Sequence, residues 1–178
     1  MSEEEDIFFC AEDDDDGNNN MEDNDYQAAD GNPEEEEALN TPENKYKMGK
    51  EQLGFDDLYA IDVFYDVFCD QRSSQELQAK AIKRAAITLS QHDDFPRVLN
   101  SLTDVFDANL DGIVSDELCT KIVKAMMNNL IRSESALTDF LELATERVNK
   151  STQSPLFVEL KLKQAELALK RADYDKVQ

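Results

Sequence analysis

The chain has 178 residues, which include 40 acidic and 18 basic side chains, and its formal net charge is −22. This acidity disfavours direct binding to nucleic acid or to an anionic membrane, because both need a basic face. Cys10, Cys69 and Cys119 lie far apart, so we expect Cys69 and Cys119 to be small buried residues in a reducing compartment, with no metal site.

The negative charge is concentrated at the N-terminus. Residues 1–44 hold 18 Asp and Glu and no Lys or Arg, so they carry −18, whereas residues 45–178 hold 22 acids and 18 bases. Like charges repel and the segment has little apolar area, so we predict a disordered acidic tail over 1–44 and a folded domain over 45–178. Within the tail, Ile7, Phe8 and Phe9 form an apolar patch that is either a short partner-docking motif or a chance cluster.

Beyond the tail, apolar residues recur at helical spacing and no strand pattern appears. Capping residues precede these stretches, and on this basis we predict six helices. The first three helices span 58–69, 75–90 and about 95–106. The fourth is capped by Ser115 and ends near 131, the fifth is capped by Ser133 or Ser135 and ends near 149, and the sixth starts at Pro155. Helix pairs of this length, joined by short polar turns, indicate an all-α fold, a right-handed α-solenoid of antiparallel helix pairs.

The last predicted helix is apolar around much of its circumference. Its apolar positions are Leu156, Leu160, Leu162, Ala165, Leu167, Ala168, Leu169 and Ala172. A helix with so wide an apolar stripe is expected to lie between other helices. From Ala172 the sequence Ala-Asp-Tyr-Asp-Lys-Val is predicted to open the partner helix, so the pattern indicates a helical-repeat array that is cut short.

Residues 107–118 match several positions of an EF-hand calcium loop between two predicted helices. The matching positions are one, three, five, six, eight and nine, which are Asp107, Asn109, Asp111, Gly112, Val114 and Ser115. The twelfth position is Leu118, where the loop needs a bidentate Glu, and no second hand accompanies it. We therefore prefer a helix–turn–helix connector, with Gly112 in the turn and Ser115 as the cap, and keep calcium binding as the alternative.

Lys80, Lys83 and Arg84 lie at positions i, i+3 and i+4 of a predicted helix and so share one basic face. This face either clamps a phosphate or carboxylate-rich partner, or is simply solvated, with Glu76 pairing to Lys80. The chain has one histidine, no glycine-rich phosphate loop and no nucleophile with a base nearby, so we expect a protein that is not an enzyme.

Four stretches of the chain carry a resemblance to a known family. They are the acidic opening with Ile7-Phe8-Phe9-Cys10, Asn-Lys-Tyr-Lys-Met-Gly-Lys at 44–50, Ala-Lys-Ala-Ile-Lys at 79–83 with Asp-Phe-Pro at 94–96, and Ala-Asp-Tyr-Asp-Lys-Val-Gln at 172–178. Together they resemble the N-terminal part of subunit two of the COP9 signalosome, a family of PCI-domain proteins.

The resemblance implies a non-catalytic scaffold of TPR-like repeats that works in the nucleus and cytoplasm with other signalosome subunits. Such a scaffold binds cullin and RING proteins while another subunit removes NEDD8 from the cullin. No cofactor is required, but family members hold inositol hexakisphosphate with lysines that match Lys80 and Lys83, to which geometry adds Arg84. The family continues into a winged-helix PCI domain, so we expect a truncated member. A paralogous proteasome lid regulatory subunit is the alternative family.

Overall fold

The computed structural model describes residues 40–148 and 155–175, with side chains described as far as 172, and all of them belong to one compact unit, Pro33–Gln178. These residues form seven α-helices and no strand, so the all-helical prediction is confirmed for them. The helices are α1 (Pro42–Gln52), α2 (Asp57–Cys69), α3 (Gln75–Leu89), α4 (Phe95–Leu110), α5 (Asp116–Asn129), α6 (Glu134–Val148) and α7 (Pro155–Asp175), with a 3₁₀ turn at Leu130–Arg132. Residues 1–39, which include Ile7, Phe8 and Phe9, lie outside the described residues.

Side-chain caps start these helices, as the sequence predicts. The Oγ of Ser74 accepts a hydrogen bond from the N–H of Leu77 at 3.2 Å, and the Oγ of Ser115 accepts one from Leu118 at 3.3 Å. Such caps satisfy N–H groups that have no partner inside the helix. Local hydrogen bonds therefore fix the starts of α3 and α5.

Helix α1 is an element that the sequence prediction missed. It begins at Pro42, where order was predicted only from residue 45, and Thr41 caps it by accepting from the N–H of Asn44. The Thr-Pro pair is a helix-start signal, since Thr caps well and Pro fits the first helical position. The helix carries few apolar residues, so its periodicity is weak.

A close contact holds α1 against α2. The rings of Tyr46 and Phe64 lie 5.4 Å apart, centroid to centroid. Gly49 is buried, and a Cβ added there would lie 2.8 Å from Cε1 of the fully buried Phe64. Only glycine allows the α1 backbone to approach the ring this closely.

The core lies mainly between α3, α4, α5 and α6. Its largest fully buried side chains there include Ile82, Leu102, Ile122, Met126 and Phe140. A second, smaller cluster comprises Ala60, Phe64, Val67, Ala81 and Ala85 of α2 and α3. Helix α3 thus contributes to both clusters.

Every extensive contact between the described helices joins elements one or two apart in chain order. Consecutive helices pack against one another, and α3 also packs on α5 and α4 on α6. Each helix therefore packs mainly on helices that are near it in the sequence.

Two predicted features of the helices are wrong. The spacing of the predicted helix 58–69 places Leu58 on one face with Ile61 and Phe64, but Leu58, in the first turn of α2, is 49% exposed, whereas Ile61 and Phe64 are fully buried. Helix α7 runs on through Ala172 to Asp175, where a turn into the next helix was predicted, since no Gly or Pro interrupts it there.

The two cysteines in the described part of the chain are free thiols in different environments. Cys119 is buried, as predicted, and burial raises the pKa of its thiol to about 11. The prediction for Cys69 is wrong: it is exposed at the end of α2, although partial burial still raises its pKa.

We expect Gly49→Ala to destabilise the domain by about 1–2 kcal/mol. Overpacking against Phe64 costs roughly 1–3 kcal/mol, and better helix propensity offsets about 0.5–1 kcal/mol of this. Urea denaturation followed by circular dichroism measures the change. Lys47→Ala, an exposed site in the same helix, is the control, and an unchanged or raised midpoint for Gly49→Ala would contradict the α1–α2 contact.

Cys119 is expected to react with iodoacetamide far more slowly than Cys69 at pH 8. A thiol with a pKa near 11 is about one part in a thousand thiolate at that pH, and burial further blocks access. Peptide mapping by mass spectrometry gives the two rates separately. Equal labelling rates in the native protein would show that α5 does not bury Cys119, whereas labelling in urea should make the rates converge.

Candidate partner-binding surface

The three predicted cations lie together on the solvent side of α3. Lys80 and Lys83 are exposed and Arg84 is half-buried. The Nζ of Lys80 lies 3.2 Å from Oε1 of Glu76 one turn earlier, so the predicted pairing is confirmed. An exposed pair of this type contributes only about 0–1 kcal/mol, so a more highly charged partner can displace Glu76 from Lys80.

Burial of two adjoining sides of α3 determines which way its basic face points. Ala81 and Ala85 pack toward α2, while Ile82 and Ala86 belong to the larger cluster with α4 and α5. Because both sides are fully buried, the helix cannot rotate without exposing one of them. The side chains at positions 80 and 83 are therefore presented from a rigid base.

The candidate calcium loop has the geometry of a connector. The predicted end of the preceding helix at 106 is wrong, because α4 continues to Leu110 and includes Asp107 and Asn109. The turn follows at Gly112, which has a φ of 75°, a left-handed conformation that glycine adopts without strain. Two of the predicted ligands therefore lie on a helix and not in an ion-encircling loop.

The polar side chains of this connector make structural contacts. The Nδ2 of Asn109 donates to the carbonyl of Val114 at 2.9 Å and to Oδ1 of Asp116 at 3.0 Å. Asp107 accepts from Nη1 of Arg147 on α6 at 3.1 Å. Among residues 40–148 and 155–172, no group of three or more His, Cys, Asp or Glu side chains is placed to hold a metal ion. The geometry favours the connector interpretation.

An open cavity of about 370 Å³ lies between α2 and α4, and the sequence pattern did not point to it. It is lined by Asp62, Tyr65, Asp66, Leu89, Arg97, Asn100 and Asp104. Arg97 donates to Asp62 at 2.6 Å, and burial raises the pKa of Tyr65 to about 12. Burial also raises the pKa of Asp104. In the sequence, the spacing of positions 97, 100 and 104, which puts them on one helical face, could have indicated this site.

Helix α7 is apolar on two opposite sides, of which one packs on α6. Leu156 and Leu160 are buried on that side. On the other side Val158, Leu162 and Leu169 are 58%, 61% and 67% exposed. The expectation that α7 lies between other helices thus holds for one side only within the described structure.

No family model, no curated protein and no solved structure matches the chain. The resemblance to the signalosome family therefore rests on the residues quoted for it. No helix in the described ranges is both long and apolar enough to cross a membrane.

Replacing Asn109 by Asp separates the connector from a calcium loop. An aspartate at this position adds a ligand charge to an EF-hand, whereas in the connector it removes two donated hydrogen bonds and faces Asp116. We expect Asn109→Asp to lower the free energy of unfolding by about 1–3 kcal/mol and to produce no calcium binding in isothermal titration at millimolar metal. Saturable calcium heat in either protein, lost on Asp111→Ala, would favour the calcium loop.

Proposed function

We propose that this chain is a non-catalytic helical scaffold that binds cullin-RING ubiquitin ligases within a COP9 signalosome, where another subunit removes NEDD8. The observation that carries the proposal is the basic face of α3, formed by Lys80, Lys83 and Arg84 in a chain of net charge −22. The quoted resemblance supplies the identity of the partner.

The packing order supports an elongated scaffold. Contacts that join only helices one or two apart are typical of repeat architectures, in which each unit packs on its neighbours. We propose on this basis that the described helices belong to a right-handed α-solenoid of antiparallel pairs. Such a stack presents side chains along a continuous surface, which suits protein binding.

The composition of the α3 face suits a polyphosphate. Three cations project from neighbouring turns of one helix, and the carboxylate of Glu76 opposes them. A molecule with several phosphates can contact two or three of these cations together, which one carboxylate cannot do. The face therefore fits inositol hexakisphosphate at an interface with a second protein, with the exposed Lys80 and Lys83 as its main contacts.

We expect charge reversal at Lys80 and Lys83 to weaken capture of a purified cullin–RING complex by about tenfold or more in the presence of inositol hexakisphosphate. Reversal replaces phosphate attraction by repulsion and leaves the buried sides of α3 unchanged. Pull-down with the full chain, with and without the inositol phosphate, measures the effect. The purified proteasome lid, included in parallel, tests the paralogous alternative.

Lys121→Glu is the matched control. Lys121 is also exposed and pairs one turn back with Glu117 at 3.1 Å, as Lys80 does with Glu76 at 3.2 Å. The control should bind like the original chain. If the Lys80 and Lys83 variants also bind unchanged, the proposed site is incorrect, and if the original chain captures no cullin–RING complex, the proposed function is incorrect.

A further inference from the structure

We propose that the exposed side of α7 binds an acidic amphipathic helix of a partner protein. The inference concerns a different helix from the basic face of α3 and does not rest on the proposed function. We call the exposed apolar residues on this side of the helix the α7 stripe: Val158, Leu162, Ala165, Leu169 and Ala172.

The α7 stripe has the spacing of a helix-pairing seam. Its members are separated alternately by four and three residues, which keeps them on one side of the helix over four turns. From Val158 to Ala172 this seam spans about 21 Å at 1.5 Å per residue. Leu162 and Leu169 are the large side chains of the seam, and the small Ala165 leaves a hollow between them, while Ala172 leaves another beyond Leu169. Ridges and hollows of this kind accept the side chains of a second helix.

The α7 stripe leaves large apolar side chains in contact with water. Each large member of the α7 stripe is more than half exposed, while the other side of α7 already buries Leu156 and Leu160. Contiguous exposed apolar residues with polar neighbours are typical of protein-binding sites. An amphipathic helix that lies along the stripe would bury them.

The charges beside the α7 stripe select an acidic occupant. The neighbouring carboxylates are already compensated: Glu159 pairs with Lys124 at 2.5 Å and Glu166 with Lys163 at 3.0 Å. Lys161 contacts the neutral amide of Gln164 and the ring of Phe157 instead.

Lys170, on the other flank, has no carboxylate partner among the described side chains. One uncompensated lysine therefore lies on each flank of the stripe, although Asp173 and Asp175 follow at its end. A partner helix with carboxylates beside its apolar seam complements this arrangement.

The same charges disfavour a second copy of this chain as the occupant. Two α7 helices would bring together flanks that each carry an uncompensated lysine. A heteromeric helix with carboxylates beside its seam places opposite charges against those lysines instead.

Two synthetic helical peptides of about 21 residues test the proposal, since their length matches the seam with a margin. Both carry Leu at the seam positions, and one has Glu and the other Lys beside the seam. Fluorescence anisotropy with the full chain at about 0.15 M salt measures binding, because this salt screens distant charges beyond about 8 Å. The acidic peptide should bind saturably, and its failure to bind would overturn the proposal.

Substitutions locate the binding. Leu162→Asp with Leu169→Asp should weaken the acidic peptide about tenfold or more. Leu110→Asp with Ile131→Asp, which alters two exposed apolar residues elsewhere, should leave it unchanged. Lys161→Glu with Lys170→Glu should weaken the acidic peptide while circular dichroism remains unchanged. If the lysine peptide binds to the acidic residues 1–44, none of these substitutions should change its affinity. If the acidic peptide binds all variants equally, the proposed site is wrong.

Two further outcomes identify other occupants and would overturn the proposal. Sedimentation that shows a dimer, dissolved by Leu162→Asp with Leu169→Asp, would assign the stripe to a second copy. A gain of about tenfold in acidic-peptide affinity on changing Ile7, Phe8 and Phe9 to Ala would assign it to that segment of this chain. A monomer whose affinity is unchanged by the latter substitutions supports the partner helix.

Discussion

The position of α3 depends on its burial along two adjoining sides at once. Small residues make this possible, because Ala81 and Ala85 let α2 approach while Ala86 admits α4 and α5. A larger side chain at any of these fully buried positions would overpack the contact. Among residues 40–148 and 155–172, the side of α3 that stays open to solvent carries the lysines at 80 and 83. The basic face is thus a consequence of how the core is packed.

The sequence predicted best the helices that bury a single stripe. In α4 and α6 the apolar residues that recur at helical spacing, such as Leu102 and Phe140, are buried, because one apolar side meets the core and the rest is polar. In α2 the first-turn residue Leu58 is left exposed, whereas Ile61 and Phe64 on the same face are fully buried. Helix α1 was not predicted because its position depends on the contact of Gly49 with Phe64. The spacing of apolar residues in the sequence does not reveal such a contact.

Some features of the candidate sites follow from the sequence, and others require the folded structure. The shared face of Lys80, Lys83 and Arg84 follows from helical geometry alone, and so does the pairing of Lys80 with Glu76. The contacts of Asn109 with Val114 and Asp116 require the fold, since they join the end of α4 to the start of α5. For α7, the sequence shows two apolar sides but not which of them is covered. Only the packing of Leu160 against the core identifies the exposed side as that of Leu162.

A titration of the isotopically labelled full chain with inositol hexakisphosphate, followed by amide chemical shifts, tests the central claim most directly. The account predicts saturable shifts that are largest at residues 80, 83 and 84, with little change at the comparable exposed cation Lys121. Shifts that do not saturate, or that are largest on α5 or α7, would contradict the assignment of the binding surface to α3.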